Sequence, residues 1–202
     1  MTRGTLSWLL TLFLLVAGAH DVQSSSVVKR NIAELTKLAE TIIVGKVVSV
    51  SDGLDGTFPY TEVTIEVSQT LKGYAGKVYT FRQFGLLKPR DMGNGMINLN
   101  VTPEGWTTYR AGEEVMLFLY KAATFTGVRT TVGLTQGAFT IEEGRIVNGV
   151  QNRGLFENLS VTPGKLTAKE QNLLQTRKGA INARTFISLV EKAVSQRLFI
   201  DK

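Results

Sequence analysis

The chain has 202 residues, 43% of them hydrophobic and 20% charged, which is the make-up of one ordinary globular domain rather than of a disordered segment. Cys is absent, so disulfides, thiolate nucleophiles and thiolate metal sites are excluded, and with His occurring once, at residue 20, His-rich metal sites are missing and a usual acyl-transfer triad is not expected. The formal charge is +6, and its excess sits at one end: residues 20–150 hold 13 Lys and Arg against 13 Asp and Glu, residues 151–202 nine against four.

Arg3 supplies a positive start, Trp8 to Val16 is apolar apart from Thr11, and Ala17-Gly18-Ala19 gives the small-x-small pattern of a cleavage site. Residues 1–19 therefore read as a secretory signal peptide, and the mature protein is expected in the periplasm or outside the cell. The apolar run is well short of the ~20 residues that a membrane span requires. An exported domain without Cys must be held by its core alone, which fits a bacterial exported protein. Cleavage after Ala19 would leave His20 as the new N-terminus. Its α-amine and imidazole form the one metal candidate in the chain; a second His, as in a histidine brace, is missing.

Along the chain, Ile32, Leu35, Leu38 and Ala39 have helical spacing and predict a short lead-in helix over 31–39. Ile42 to Val50 is rich in β-branched residues and predicts a strand, with Gly45 marking a bulge or bend. Asp52-Gly-Leu-Asp-Gly56 reads as a turn. From Thr61 to Val67 apolar and polar residues alternate, so Val63, Ile65 and Val67 should face a core while Glu62, Thr64 and Glu66 face water. Lys77 to Phe84 predicts a third strand. Residues 85–111 show little periodicity and hold six Gly and Pro. They predict a long excursion, with Trp106 and Tyr109 as its apolar anchors. Val115 to Tyr120 is a continuous apolar run, hence a strand buried on both faces. Val128 to Leu134, Ala138 to Glu142 and Arg145 to Val147 complete the strands. Beyond residue 150 the pattern turns helical: Thr167-Ala-Lys-Glu170 is a capping box, and Phe186, Leu189, Val190, Ala193 and Val194 line one face of a final helix. Short strands joined by glycine turns argue for a mainly β protein built as a small antiparallel barrel. The expected organisation is a signal peptide (1–19), the barrel domain (20–150) and a basic C-terminal extension with one or two helices (151–202).

Four stretches in order, Ala39 to Val47, Tyr60-Thr-Glu-Val63, Leu71-Lys-Gly73 and Tyr109 to Leu119, followed by Gly133-Leu-Thr-Gln-Gly-Ala-Phe139, resemble small exported bacterial domains of uncharacterised function. The order strand, glycine, strand, Leu-Lys-Gly is also similar to the barrel of netrin-like domains and tissue inhibitors of metalloproteinases. That resemblance covers residues 32–142 and implies an OB-fold with Leu71 turned inward and Gly73 taking the turn. Those inhibitors chelate a protease zinc through an N-terminal Cys, which this chain lacks, so that mechanism is not implied here.

Other chemistry finds little support. Ser26-Val-Val-Lys29 fits S-x-x-K but stands without the partner motifs of that enzyme class. Glu62 and Glu66 on one strand face would lie ~13 Å apart, beyond a glycosidase pair. Asp52 and Asp55 supply too few ligands for calcium. No enzyme activity and no cofactor are expected. The first functional expectation is an exported binding module that docks or inhibits a protein such as a secreted protease, with Trp106, Tyr109 and Arg110 in the 85–111 loop as the candidate surface. The alternative is an envelope protein that binds anionic polymer or lipid head groups through its basic C-terminal quarter. Nucleic acid is not an expected partner of an exported chain.

Overall fold

The computed structural model describes residues 28–196 and 198–200; the signal segment 1–19, His20 and Ser26 lie outside these. The chain begins with α1 (Ile32–Leu38), started by a reciprocal capping box in which Glu34 N donates to Asn31 Oδ1 (3.0 Å) and Asn31 N to Glu34 Oε2 (2.9 Å). There follow β1 (Thr41–Asp55), β2 (Phe58–Lys72), β3 (Val78–Phe84), the short β4 (Arg90–Asp91) and β5 (Ile97–Asn98), β6 (Glu114–Leu119), β7 (Ala138–Glu142), β8 (Arg145–Asn148), α2 (Ala168–Leu174), β9 (Ile181–Asn182) and α3 (Ala183–Gln196). Seven strands form one antiparallel sheet in the order β3-β2-β1-β6-β7-β8-β9, and β4 with β5 forms a separate ribbon.

Alternation along the central strands produces two cores. Ile42, Val44, Met116 and Phe118 point to one face, where they meet Ile32 and Leu35 of α1 and Phe186, Leu189 and Val190 of α3. Ile43, Val47, Val63, Ile65, Phe81, Val115, Leu117 and Leu119 point to the other. β6 is thus buried on both faces, as its unbroken apolar run predicts. Leu155, Phe156, Leu173 and Ile181 join the helix-covered cluster, so residues beyond 150 pack into the same core as the strands.

The ladders leave β3 and β9 as the two edges of the seven-stranded sheet. The sequence pattern misleads in three places. Asp52 to Asp55 continues β1, with the hairpin turn at Gly56-Thr57, because Asp52, Gly53, Leu54 and Asp55 pair with Thr61, Tyr60, Pro59 and Phe58. Residues 128–134 form no named strand: only Thr131 bridges to Leu119, and Leu134–Gln136 is a 3-10 turn. Leu71 turns to the helix-covered cluster, not the one lined by Val63 and Ile65. The register slips near Ser68 and again near Leu71, and each slip disturbs the side-chain alternation.

Leu71-Lys72-Gly73 is a joint of the scaffold. Lys72 Nζ donates to Thr36 O (2.7 Å) and Lys37 O (3.2 Å), neutralising the open carbonyls at the end of α1. Burial lowers the Lys72 pKa, and Glu40 opposes that shift. Gly73 has φ +73°, and a Cβ there would lie 2.6 Å from Glu40 O. Gly45 answers a different demand. The backbone of β2 passes so close that a Cβ would meet Glu66 O at 2.3 Å and Ile65 Cγ2 at 2.7 Å, next to the register slip at Val44/Gly45. Gly45→Val is therefore expected to cost about 3 kcal/mol by forcing β1 and β2 apart, read as a drop in denaturant midpoint.

The second helix pair is held by a buried carboxylate. Glu170, almost wholly buried, accepts from Thr167 N (2.7 Å), Thr167 Oγ1 (2.9 Å), Ser188 Oγ (3.2 Å) and Lys192 Nζ (2.7 Å), which ties the start of α2 to α3. Burial alone would raise this carboxyl, but the hydrogen bonds from Lys192 and Thr167 hold it below its ordinary value of 4.5. A depressed folded value means the contribution is complete above 4.5 and fades as pH falls through the lowered value. Glu170→Gln should cost about 1–3 kcal/mol at pH 7 and flatten the acid limb of a stability-against-pH curve. An unchanged acid limb would mean that this carboxylate does not link folding to pH.

Candidate functional site

The 85–111 excursion leaves the sheet through a narrow, well-bonded neck. Thr61 Oγ1 donates to Gly85 O (2.7 Å), Leu86 N to Asn100 O (2.9 Å) and Thr102 N to Leu86 O (2.9 Å). Leu86 is fully buried there and bridges to Val101. Gly85 is required: at φ +102° a Cβ would sit 2.4 Å from Thr102 N. Asp52, which the sequence places in a plain turn, braces the neck from β1. Its carboxylate accepts from Leu87 N (2.8 Å) and from Arg90 Nη2 (2.6 Å).

Above the neck, β4 and β5 form a ribbon closed by Met92 N to Met96 O (3.0 Å), with Asp91 Oδ1 accepting from Gly93 N (2.8 Å) and Asn94 Oδ1 from Met96 N (3.1 Å). Every residue from 91 to 97 is exposed. Leu87, Met92, Met96 (61%), Ile97 (63%) and Leu99 (70%) carry their apolar side chains into solvent. Large apolar groups that cluster on a braced projection have a cost in water that a partner would relieve. Methionine also adapts its shape to whatever it meets.

Trp106 and Tyr109 stand in a different place. Tyr109 is 7% exposed and lies in the second core, edge-on to Phe81 with ring centroids 5.7 Å apart. Burial pushes its phenol well above the ordinary value. Tyr109 is therefore a core residue, and the expectation that it forms a docking surface is corrected. Trp106 is half-buried against Phe84, at 6.5 Å between ring centroids, and Gln83 Nε2 donates to Thr107 O (3.0 Å) beside it. Both rings line a cleft of about 200 Å3 with Val115, Thr135 and Phe139. Arg110 is exposed, and its backbone N donates to Glu113 Oε2 (3.0 Å). The loop thus divides into an inward return limb at 106–109 and an outward crown at 87–99. The sequence gives one signal for the crown, the interleaving of apolar residues with Gly93 and Gly95; without periodicity it does not say which way they point.

Among the described residues, no group of three or more His, Cys, Asp or Glu side chains is placed to hold a metal ion. Glu62 is occupied by Arg82 (2.8 Å), and Glu66, Glu114, Glu142 and Glu143 are solvated. A cavity of about 870 Å3 runs between α1 and residues 158–160, 193 and 199–200, and its one carboxylate, Glu34, is committed to the α1 cap. Buried Gln136, Asn148 and Asn152 satisfy one another and nearby backbone; Gln136 also pins the start of the described chain through Arg30 N (2.8 Å) and Val28 O (3.0 Å). In the basic quarter, Lys192 and Lys165 are spent on Glu170 and Gln196 O, whereas Lys169, Arg177, Lys178 and Arg184 are exposed. No helix among the described residues is long and apolar enough to cross a membrane. No family model, no curated protein and no solved structure matches the chain.

Proposed function

We propose that this is an exported, non-catalytic binding module whose apolar crown, residues 87–99, docks a protein partner. The observation that carries the reading is the exposure of Leu87, Met92, Met96, Ile97 and Leu99 on a projection braced by Asp52 and Leu86. Residues 85–105 carry Lys88, Arg90, Asp91 and Glu104, a balanced set, so an apolar groove suits them better than an anionic polymer. A secreted protease is the partner class that the netrin-like resemblance suggests, by occlusion of an apolar cleft rather than by zinc chelation. The OB-like barrel belongs to the same proposal. Arg129 N donates to Arg82 O (2.7 Å) on β3, while Tyr120 N to Thr130 O (2.9 Å) and Val132 N to Phe118 O (2.8 Å) tie the same segment to the end of β6. This segment would close β1, β2, β3 and β6 around the second core.

The second reading, binding of anionic envelope polymer or lipid, rests on exposed Lys169, Arg177, Lys178 and Arg184. Salt separates the two. Capture through an apolar crown is expected to hold as ionic strength rises, while retention on isolated envelopes through cations is expected to fall steeply. Retention that salt abolishes, with no stoichiometric protein partner, would favour the second reading.

A further inference from the structure

The chain contains two Asn-Gly steps, Asn94-Gly95 and Asn148-Gly149, and the fold treats them in opposite ways. In such a step the glycine backbone nitrogen attacks the side-chain carbonyl carbon of asparagine. The C–N bond to the amide breaks, ammonia leaves, and a cyclic imide forms; water then opens it to aspartate or isoaspartate. The reaction needs a carbonyl carbon within reach and a glycine nitrogen free of other bonds, and the missing glycine side chain removes the usual obstruction.

At Asn148 the fold opposes the reaction. The residue is 4% exposed; its Oδ1 accepts from Asn152 N (2.7 Å), and its Nδ2 donates to Gln136 O (2.9 Å), which holds the carboxamide in place. The would-be nucleophile, Gly149 N, donates to Thr135 O (3.0 Å). At Asn94 none of these restraints is present. The residue is exposed at the crown of the β4–β5 ribbon, between Gly93 (φ +74°) and Gly95 (φ +81°). Gly95 N has no hydrogen-bond partner among the described residues. Asn94 Oδ1 accepts from Met96 N just as Asn148 Oδ1 accepts from Val150 N, so the two steps differ in exposure, in the bonds on the carboxamide nitrogen and in the bond on the glycine nitrogen.

We propose that Asn94 is a site of spontaneous deamidation in the folded protein, while the fold protects Asn148. The product puts a carboxylate between Met92 and Met96, at the centre of the exposed apolar crown. A carboxylate carried into an apolar groove must be desolvated, so docking would end with the reaction. That consequence rests on the docking reading; the chemistry itself does not.

The test is peptide mapping by mass spectrometry after the purified full chain is incubated at mildly alkaline pH, once folded and once in denaturant. The expected result is a mass gain from amide to acid in the Asn94 peptide in both samples, and in the Asn148 peptide in denaturant only. In an Asn94→Gln variant the folded protein should show neither gain. Equal gain at Asn94 and Asn148 in the folded protein, or gain at Asn94 in denaturant alone, would overturn the proposal. Hydrophobic-interaction chromatography of the two forms reports the surface effect without any partner: the deamidated form should elute earlier.

Discussion

Replacement of Trp106 and Tyr109 together by Ala is expected to unfold the protein or leave it barely folded. Tyr109 fills the second core against Phe81, and a buried aromatic truncated to Ala costs about 3–5 kcal/mol. Trp106 adds about 1–2 kcal/mol, because it is half-buried and leans on Phe84. The sum approaches the ~5–15 kcal/mol by which an ordinary domain is folded. Thermal melting monitored by near-UV dichroism checks this directly. A double variant that melts close to the wild type would show that neither ring supports the core, and it would return the 106–109 limb to the candidate binding surface.

Replacement of Met92, Met96, Ile97 and Leu99 together by Ser is expected to do the reverse. These side chains lie in solvent, and the bonds that shape the crown come from Asp52, Asp91 and Asn94 and from the ribbon backbone, which the change leaves in place. Stability should move by no more than about 0.5 kcal/mol. Partner capture should fall by roughly 100-fold or more, since a few apolar anchors dominate most interfaces. Capture that persists at wild-type strength in a well-folded variant would place the binding surface elsewhere, with exposed Lys169, Arg177, Lys178 and Arg184 the next group to substitute.

Much of the scaffold was legible from one sequence because its signals are local. The alternation around Val63 and Ile65, the unbroken run Val115 to Leu119, the Thr167/Glu170 capping box and the helical stripe of Phe186, Leu189 and Val190 each survive in the structure. The misses are long-range. Nothing near Lys72 in the chain says that its ammonium will close the end of a helix some 35 residues earlier. Asp52 meets Arg90 across 38 residues, so a carboxylate in a glycine-rich stretch looked like turn chemistry when it is a brace. Residues 128–132 have strand composition but make only scattered backbone bonds, to Arg82 O on β3 and around the end of β6, instead of extending a ladder. The aromatic residues of the 85–111 loop show a different limit. Size singles out Trp106 and Tyr109 in the sequence, yet size rewards burial as much as binding. The smaller apolar residues between glycines, which have no core to reach, were the ones left outside.

Hydrogen–deuterium exchange on the wild-type protein, free and bound to its captured partner, tests the docking surface most directly. Binding is expected to slow exchange in peptides spanning 87–99, with little change across 165–196. Unchanged exchange over 87–99, together with new protection along 165–196, would contradict the proposal and assign recognition to the basic helical segment.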